Sequence, residues 1–398
     1  MSVSRFASLL GSLALLIGCD SAPSEPTTGG TGGSTAVSAT GGATSTTSTP
    51  PASTSTLHVN GNKLEDNGKT IRLIGWDRPG TEYMCITGGA IFDGPTGTSN
   101  VQLMQTWTGF NAIRLPLNET CWLGINGVAA TLSGTRYINA LTDYVKLLRS
   151  SDIYVILDLH WNGPGTFKGT TQLPMADKDH SIDFWTAVAN QFKGDLGVIF
   201  DLYNEPHLDA VDSLTGGDGT AWGCWLNGGC QVTPRAGNEQ QVGAYTIAGM
   251  QEMLTAVRST GAQNVVLVGG NNWAGDMSQW AANAPTDSTG NLVASVHAYN
   301  FANCRDVACE TILETIASST PIVIGEFGED DCDSQFIGPF MDWADTNGLS
   351  YLAWSWGSED CSKGPSITTN NTLGVASGTA PNGYGVYFKN HIANLPAQ

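Results

Sequence analysis

Two glutamates close runs that read as buried β-strands: Val198-Ile-Phe-Asp-Leu-Tyr-Asn-Glu205-Pro206 and Pro321-Ile-Val-Ile-Gly-Glu326-Phe-Gly328. Apolar runs of this length, bounded by Pro and Gly, suit strands covered on both faces, as in a parallel sheet wrapped by helices. A carboxylate ending such a strand needs a reason. Two of them, far apart in sequence, imply a barrel mouth at which different strands deliver an acid and a nucleophile to one bond. The other strand-like runs end in side chains that can do chemistry too: Arg114 in Ile-Arg-Leu-Pro, His160 in Leu-Asp-Leu-His-Trp, Asn204 beside Glu205, His297 and Tyr299 in Val-His-Ala-Tyr-Asn, then Trp354 and Trp356. Singly, each has a structural explanation as an ion-pair partner, a satisfied core histidine or a packing indole. Their recurrence at corresponding strand ends favours a site.

The elements that must position them repeat along the chain. Strand candidates are Thr70 to Trp76, Asn111 to Leu117, Ile153 to His160, Val198 to Glu205, Val265 to Asn271, Leu292 to Tyr299, Ile322 to Phe327 and Leu349 to Trp356. Between them, Ile138, Leu141, Val145 and Leu148 fall on one helical face, as do Ile247, Met250, Leu254 and Val257. Further helices are predicted from His180 to Phe192, Phe336 to Thr346 and Tyr384 to Leu395. Eight strand-helix repeats with right-handed crossovers close into an α/β (β/α)8 TIM barrel, a single catalytic domain from Leu57 to Gln398. An open doubly wound sheet would want a glycine-rich phosphate loop after an early strand, and neither GxGxxG nor GxxxxGK[ST] occurs there. Long connections follow strands one, two and four, from Met84 to Gln105, Leu117 to Arg136 and His207 to Asn238, on the face where βα loops build active sites.

Asn204-Glu205-Pro206 after the fourth strand and Glu326 in Gly-Glu-Phe-Gly after the seventh, with Arg114, His160, His297 and Tyr299, resemble glycoside hydrolase family 5, the cellulase family A of clan A. The resemblance runs from about Leu57 to the C-terminus. It implies that Glu205 is the acid/base and Glu326 the nucleophile of a retaining hydrolysis, which needs the two carboxyl groups about 5 to 5.5 Å apart. At that separation the charges repel, so one carboxyl is expected to keep its proton while the other stays ionised. Arg114 and Tyr299 are expected to hold Glu326, Asn204 to meet the sugar 2-hydroxyl, and His160 and His297 to contact sugar hydroxyls or support the glutamates. Trp354 matches the family's strand-eight sugar platform, with Trp356 as the alternative; Trp76, Trp122, Trp161, Trp222, Trp225 and Trp273 lie in or beside mouth segments, and about half are expected in the core. Glu119, Asp158, Asp201 and Glu329 are alternative carboxylates without a matching motif, and His180 and His207 read as structural or exposed. The implied activity is an endo-β-1,4-glucanase acting on cellulose or a related β-glucan. β-Mannanase or another β-glycanase is the rival within the same chemistry, and a non-catalytic surface glycan-binding protein the rival outside it. No metal or organic cofactor is expected; a metal-dependent hydrolase using His160 and His297 is the third reading, testable with a chelator.

The ends of the chain carry a different message. Residues 1–18 hold Arg5 and an apolar stretch from Phe6 to Ile17, too short to span a bilayer, which reads as an export signal. Leu16-Ile17-Gly18-Cys19 resembles the bacterial lipobox, so Cys19 is the expected lipidation site, and several acyl chains anchor where one would not. Residues 19–56 continue as Ser, Thr, Gly, Ala and Pro, a disordered tether with nothing to bury. The expectation is an exported cell-envelope or surface lipoprotein, possible release included, that acts as a monomer and meets the membrane only through its lipid. A net charge of −19 with 17 scattered Lys and Arg excludes nucleic acid as a natural partner and leaves a neutral polysaccharide compatible. Eight further cysteines, Cys85, Cys121, Cys224, Cys230, Cys304, Cys309, Cys332 and Cys361, form an even set in an exported chain. They read as disulfides, with sequential pairing favoured because Cys224 with Cys230 and Cys304 with Cys309 each share a loop. No CxxC pair or His cluster supports zinc.

Overall fold

The computed structural model describes residues 54–235, 242–302, 304–357, 364–368 and 383–396. The signal segment, Cys19, the tether up to residue 53 and Cys361 lie outside the described residues.

Eight parallel strands close into a barrel: β1 (Ile74–Asp77), β2 (Ala112–Asn118), β3 (Tyr154–Trp161), β4 (Val198–Asp201), β5 (Val266–Gly269), β6 (Leu292–Tyr299), β7 (Ile322–Gly328) and β8 (Ser350–Ala353). Each strand pairs with the next, and β8 returns to β1 through Tyr351, Leu352 and Ala353 opposite Ile74, Gly75 and Trp76. The seven connections carry helices Thr98–Met104, Thr135–Arg149, Ser181–Phe192, Met250–Ser259, Trp280–Asn283, Val307–Ala317 and Ile337–Thr346, and Gly383–Ala393 follows β8. Outward strand residues such as Ile113, Leu115, Val155 and Leu157 pack with Leu141, Val145, Leu148 and Trp185 of these helices in the main core. Buried on both faces, the strands carry the continuous apolar runs that made them legible.

The first predicted strand is split. Lys69–Ile71 belongs to a three-stranded antiparallel sheet with His58–Asn60 and Lys63–Asp66, and the barrel strand begins only at Ile74. The Asn67-Gly68 turn, with φ of 51° and 76°, supplies the paired positive dihedrals that such a hairpin wants. Leu57 and Leu64 of this sheet pack with Leu73, Ala112, Ile156, Ile199, Val265, Val293, Val323 and Leu352, which plugs the amino-terminal end of the barrel with apolar side chains. Substrate therefore has one end to enter. At the other end the connection after β4 builds a small sheet of Ser213–Thr215, Gln231–Thr233 and Tyr245–Thr246 with the helix Ala221–Asn227. Disulfides join Cys85 to Cys121, Cys224 to Cys230 and Cys304 to Cys309, the sequential pairing expected, and Cys332 is also disulfide-bonded. The first links the connections after β1 and β2. Among the described residues no helix is long and apolar enough to cross a membrane.

Candidate active site

Strand register brings the site together. Asp77 on β1 is the pairing partner of Arg114 on β2, Asp158 on β3 that of Asp201 on β4, and His297 on β6 that of Glu326 on β7. The β6–β7 register slips between Val296 and His297, which makes Gly325 the extra residue of a bulge and turns Glu326 into the barrel mouth. Gly325 is needed there because a Cβ would lie 2.8 Å from Ser295 Oγ and 3.2 Å from His297 Nε2.

Arg114, with 0% of its surface exposed, is the hub. Its guanidinium donates to Glu326 Oε1 at 2.8 Å, Asp77 Oδ1 at 2.9 Å, Asp201 Oδ2 at 3.1 Å and Asn204 Oδ1 at 2.9 Å, and lies 3.4 Å from Asp158 Oδ2. One cation cannot compensate four buried carboxylates. Burial, relieved only in part by Arg114, pushes the Asp77 carboxyl well up and that of Asp201 to about 6. Burial works against the charge on Arg114, but Asp158, Asp201, Asp77 and Glu326 outweigh it and hold the guanidinium protonated.

Glu326 is 4% exposed and receives a second donor, the Tyr299 hydroxyl, at 2.7 Å from Oε2. Burial and the two glutamates drive the Tyr299 phenol far above its ordinary value, so it stays a donor. His297 Nδ1 lies 3.0 Å from Glu205 Oε1 and 3.5 Å from Glu326 Oε2; facing two carboxylates, that nitrogen carries the hydrogen. One oxygen of each glutamate and one His297 nitrogen all lie within 4.8 Å of one another. The other oxygen of Glu205, Oε2, accepts from Gln172 Nε2 at 2.7 Å. Burial alone would raise the Glu205 carboxyl; the bonds from His297 and Gln172 and the charge of His160 prevail and hold it below its ordinary value. The expected proton retention is therefore absent from Glu205 in the resting site, because both oxygens accept hydrogen bonds.

His160 Nδ1 pairs with Asp158 at 2.8 Å, and its ring stacks on the half-buried Trp354 at 5.7 Å and 13°. Burial opposes a charge on His160, yet Asp158, Glu82 and Glu326 raise its pKa. Trp356 is a correction: it is 0% exposed, stacked on Trp76 at 4.8 Å and edge-on to Trp107, so it has no face to offer a sugar. Trp76, Trp122, Trp222 and Trp225 are buried as well, whereas Trp161 is half-buried. Trp273 is 42% exposed, displayed by a left-handed turn in which Asn272, Trp273 and Ala274 have φ of 51°, 56° and 55°. Three such residues in a row are costly, and the turn is held by Trp273 N donating to Pro206 O at 2.8 Å and by the indole stacked on His207 at 4.7 Å.

The alternative carboxylates have other employment. Glu329 accepts from Phe336 N and Ile337 N at 2.5 and 2.6 Å, at the start of the Ile337–Thr346 helix. Glu119 accepts from Gly163 N and the Ser181 hydroxyl, and burial with neighbouring Asp177 pushes its carboxyl well up. Glu119, Asp177 and His180 form a second converging cluster; His160, which the metal reading pairs with His297, belongs to neither cluster. Sequence reasoning missed Asp77, Glu82 and Gln172. Asp77 had a signal in its place at the end of β1, whereas Gln172 sits in a connection with no motif.

The family model Cellulase (glycosyl hydrolase family 5) matches residues 75–360, from β1 through β8. The chain belongs to glycosyl hydrolase family 5. It is a glycoside hydrolase. Among curated relatives it is 22% identical over 379 residues to a mannan endo-1,4-beta-mannosidase of Cellvibrio japonicus, covering 84% of this chain and 75% of that one. It is 24% identical over 281 residues to endoglucanase C of Evansella cellulosilytica, covering 64% of this chain and only 30% of that protein. In fold this family 5 hydrolase is similar to the beta-glucanase SdGluc5_26A of Saccharophagus degradans, solved with cellotetraose, with a TM-score of 0.58 at 19% identity over 85% of this chain and 93% of that one.

Proposed function

We propose that this hydrolase cleaves internal β-1,4 bonds of cellulose or a related β-glucan by retaining double displacement, with Glu326 as nucleophile and Glu205 as acid/base. The observation that carries the reading is the approach of Glu205 and Glu326 oxygens to within 4.8 Å across His297. Inversion needs room for a water between carboxyl groups about 6.5 to 9.5 Å apart, and retention needs about 5 to 5.5 Å. Glu326, fixed by Arg114 and Tyr299, attacks the anomeric carbon as Glu205 gives a proton to the leaving oxygen; water then attacks that carbon, giving its proton back to Glu205 as Glu326 leaves. Asn204 is held through Oδ1 by Arg114, and its amide nitrogen, 3.4 Å from His160 Nε2, is the group that would turn toward a sugar 2-hydroxyl. Trp354 supplies a flat face at the cleavage site, and Trp273 an exposed one beside Glu205.

The β-mannan reading stands second, supported by the Cellvibrio japonicus relative. Reducing-sugar release from carboxymethylcellulose and from glucomannan separates the two. Following anomeric configuration by NMR, the fragment from Leu57 onward is expected to release the β-anomer first while Glu326→Gln is inactive. An α-anomer, or an active variant, overturns the assignment. We also propose export and lipid anchoring at Cys19, for which loss of acyl labelling in Cys19→Ser is the test.

A further inference from the structure

The role proposed for Glu205 requires it to alternate between acid and base, and its two oxygens are held differently. Oε1 faces His297 Nδ1, and His297 is 1% exposed, so substrate cannot take that place. Oε2 faces the carboxamide of Gln172, which is half-buried at the mouth. The oxygen that must meet the glycosidic oxygen is therefore the one that Gln172 covers.

The contact is built into the fold. Gln172 lies in the connection between β3 and the Ser181–Phe192 helix, and its chain neighbours are tied to the segment that carries Glu205. The Tyr203 hydroxyl donates to Leu173 O at 2.7 Å, and His207 N donates to Pro174 O at 2.9 Å. On the other flank, Asn118 Nδ2 donates to Gly169 O at 2.7 Å. These bonds set the Gln172 backbone relative to Glu205, so that only the side chain, whose Nε2 also lies 3.4 Å from Glu205 O, is left to swing.

We propose that Gln172 is a positioning residue that holds Glu205 in its base form until the leaving-group sugar displaces the carboxamide from Oε2. This rests on Glu205 being the acid/base. An N–H donor stabilises carboxylate over carboxylic acid, because a protonated Oε2 would meet the donor hydrogen head on. Once Gln172 is displaced, Oε2 takes a proton from solvent, and in the first half-reaction that proton passes to the glycosidic oxygen as the C1–O bond breaks and the Glu326–C1 bond forms. In the second, the carboxamide keeps Glu205 a carboxylate until water takes its place at Oε2; water then gives its proton to Oε2 as its oxygen bonds C1 and the Glu326–C1 bond breaks. The other titratable groups facing Glu205 are His297 and Tyr299 from β6, His160 from β3 and Glu326 from β7, and none of them changes with Gln172.

The test is the pH dependence of Gln172→Met, which keeps length but cannot donate, on a soluble β-glycan and on the 4-nitrophenyl glycoside of the same sugar. The alkaline limb of kcat/KM reports free enzyme and that of kcat the complex, so wild type should show the kcat limb above the kcat/KM limb. In Gln172→Met the kcat/KM limb is expected to rise by about half to one pH unit, closing the gap, because one of two donors to the anion is gone. On the aryl glycoside, whose leaving group needs no proton, the acidic limb of kcat, set by the carboxylate the second step needs, is expected to rise by the same half to one pH unit, so that kcat below that limb falls about 3- to 10-fold. Gln172→Asn, too short to reach, must behave alike, which covers a folding failure of the first variant. Unmoved limbs, or equal losses on both substrates, overturn the proposal. An active Glu326→Gln would instead overturn the reading beneath it.

Discussion

Glu82, on the connection after β1, makes a strong prediction because its environment can be converted to a stability curve. Its side chain is buried, and Oε2 accepts from Gly80 N at 2.7 Å. Burial, opposed by the charge of His160, raises the carboxyl from 4.5 to about 7. The unfolded chain loses this proton near its ordinary value while the folded protein keeps it to about 7. Between those limits the unfolded state binds fewer protons, so stability falls as pH rises, and above about 7 the loss is complete. About 2.5 units at 1.36 kcal/mol each is about 3 kcal/mol. Glu82→Gln keeps an oxygen for Gly80 and removes the titration. The variant should match wild type near pH 4.5 and exceed it by about 3 kcal/mol at pH 8, which in a domain of this size is about 4 °C in melting temperature. The assay is thermal unfolding of both proteins from pH 4.5 to 8.5 with disulfides intact. Parallel curves, or a gain that is largest in acid, would refute the reasoning, since no other placement of the carboxyl gives this sign.

Two further outcomes follow from the same interactions. Arg114→Met leaves Asp77, Asp158, Asp201 and Glu326 facing one another without their cation. A loss of about 3 to 5 kcal/mol is expected with activity abolished. The stability loss should be smaller at pH 5 than at pH 8, because Asp77 and Asp201 hold protons in acid; urea unfolding at both values checks it. Replacing Cys85 and Cys121 by Ser, a loop closed across 36 residues, should cost about 4 kcal/mol, against about 2 for Cys224 and Cys230, separated by 6, measured as denaturation midpoints.

What could be read from the sequence follows from which interactions are local. Burial on both faces writes itself into a strand as an unbroken apolar run, so β2, β3, β6 and β7 were legible to within a residue or so. The run from Thr70 to Trp76 misled because an edge hairpin and a barrel strand there share one stretch of chain, and only Arg72 and Leu73, outside both strands, divide them. Trp354 and Trp356 show the limit for side chains: two positions apart, they share a strand-end motif, and the difference between a half-buried ring and a core one is made by Trp76 and Trp107, which arrive from other parts of the chain.

The same reasoning explains the site. Glu205 and Glu326 announce themselves because a carboxylate at the end of an apolar strand is locally anomalous. Asp158 and Asp201 lie on strands, but a lone aspartate there has many explanations until barrel closure puts both on Arg114. Gln172 had no signal whatever, since glutamine in a polar connection is unremarkable. Its place over Glu205 is set by Tyr203 and His207 reaching Leu173 and Pro174. The residues proposed to carry the reaction were thus legible from their own segments, and those proposed to tune protonation were not, because tuning is done by neighbours brought in from elsewhere in the chain. Variation in pH optimum among enzymes with the same two glutamates should accordingly map to connections such as the one carrying Gln172, rather than to the strand ends.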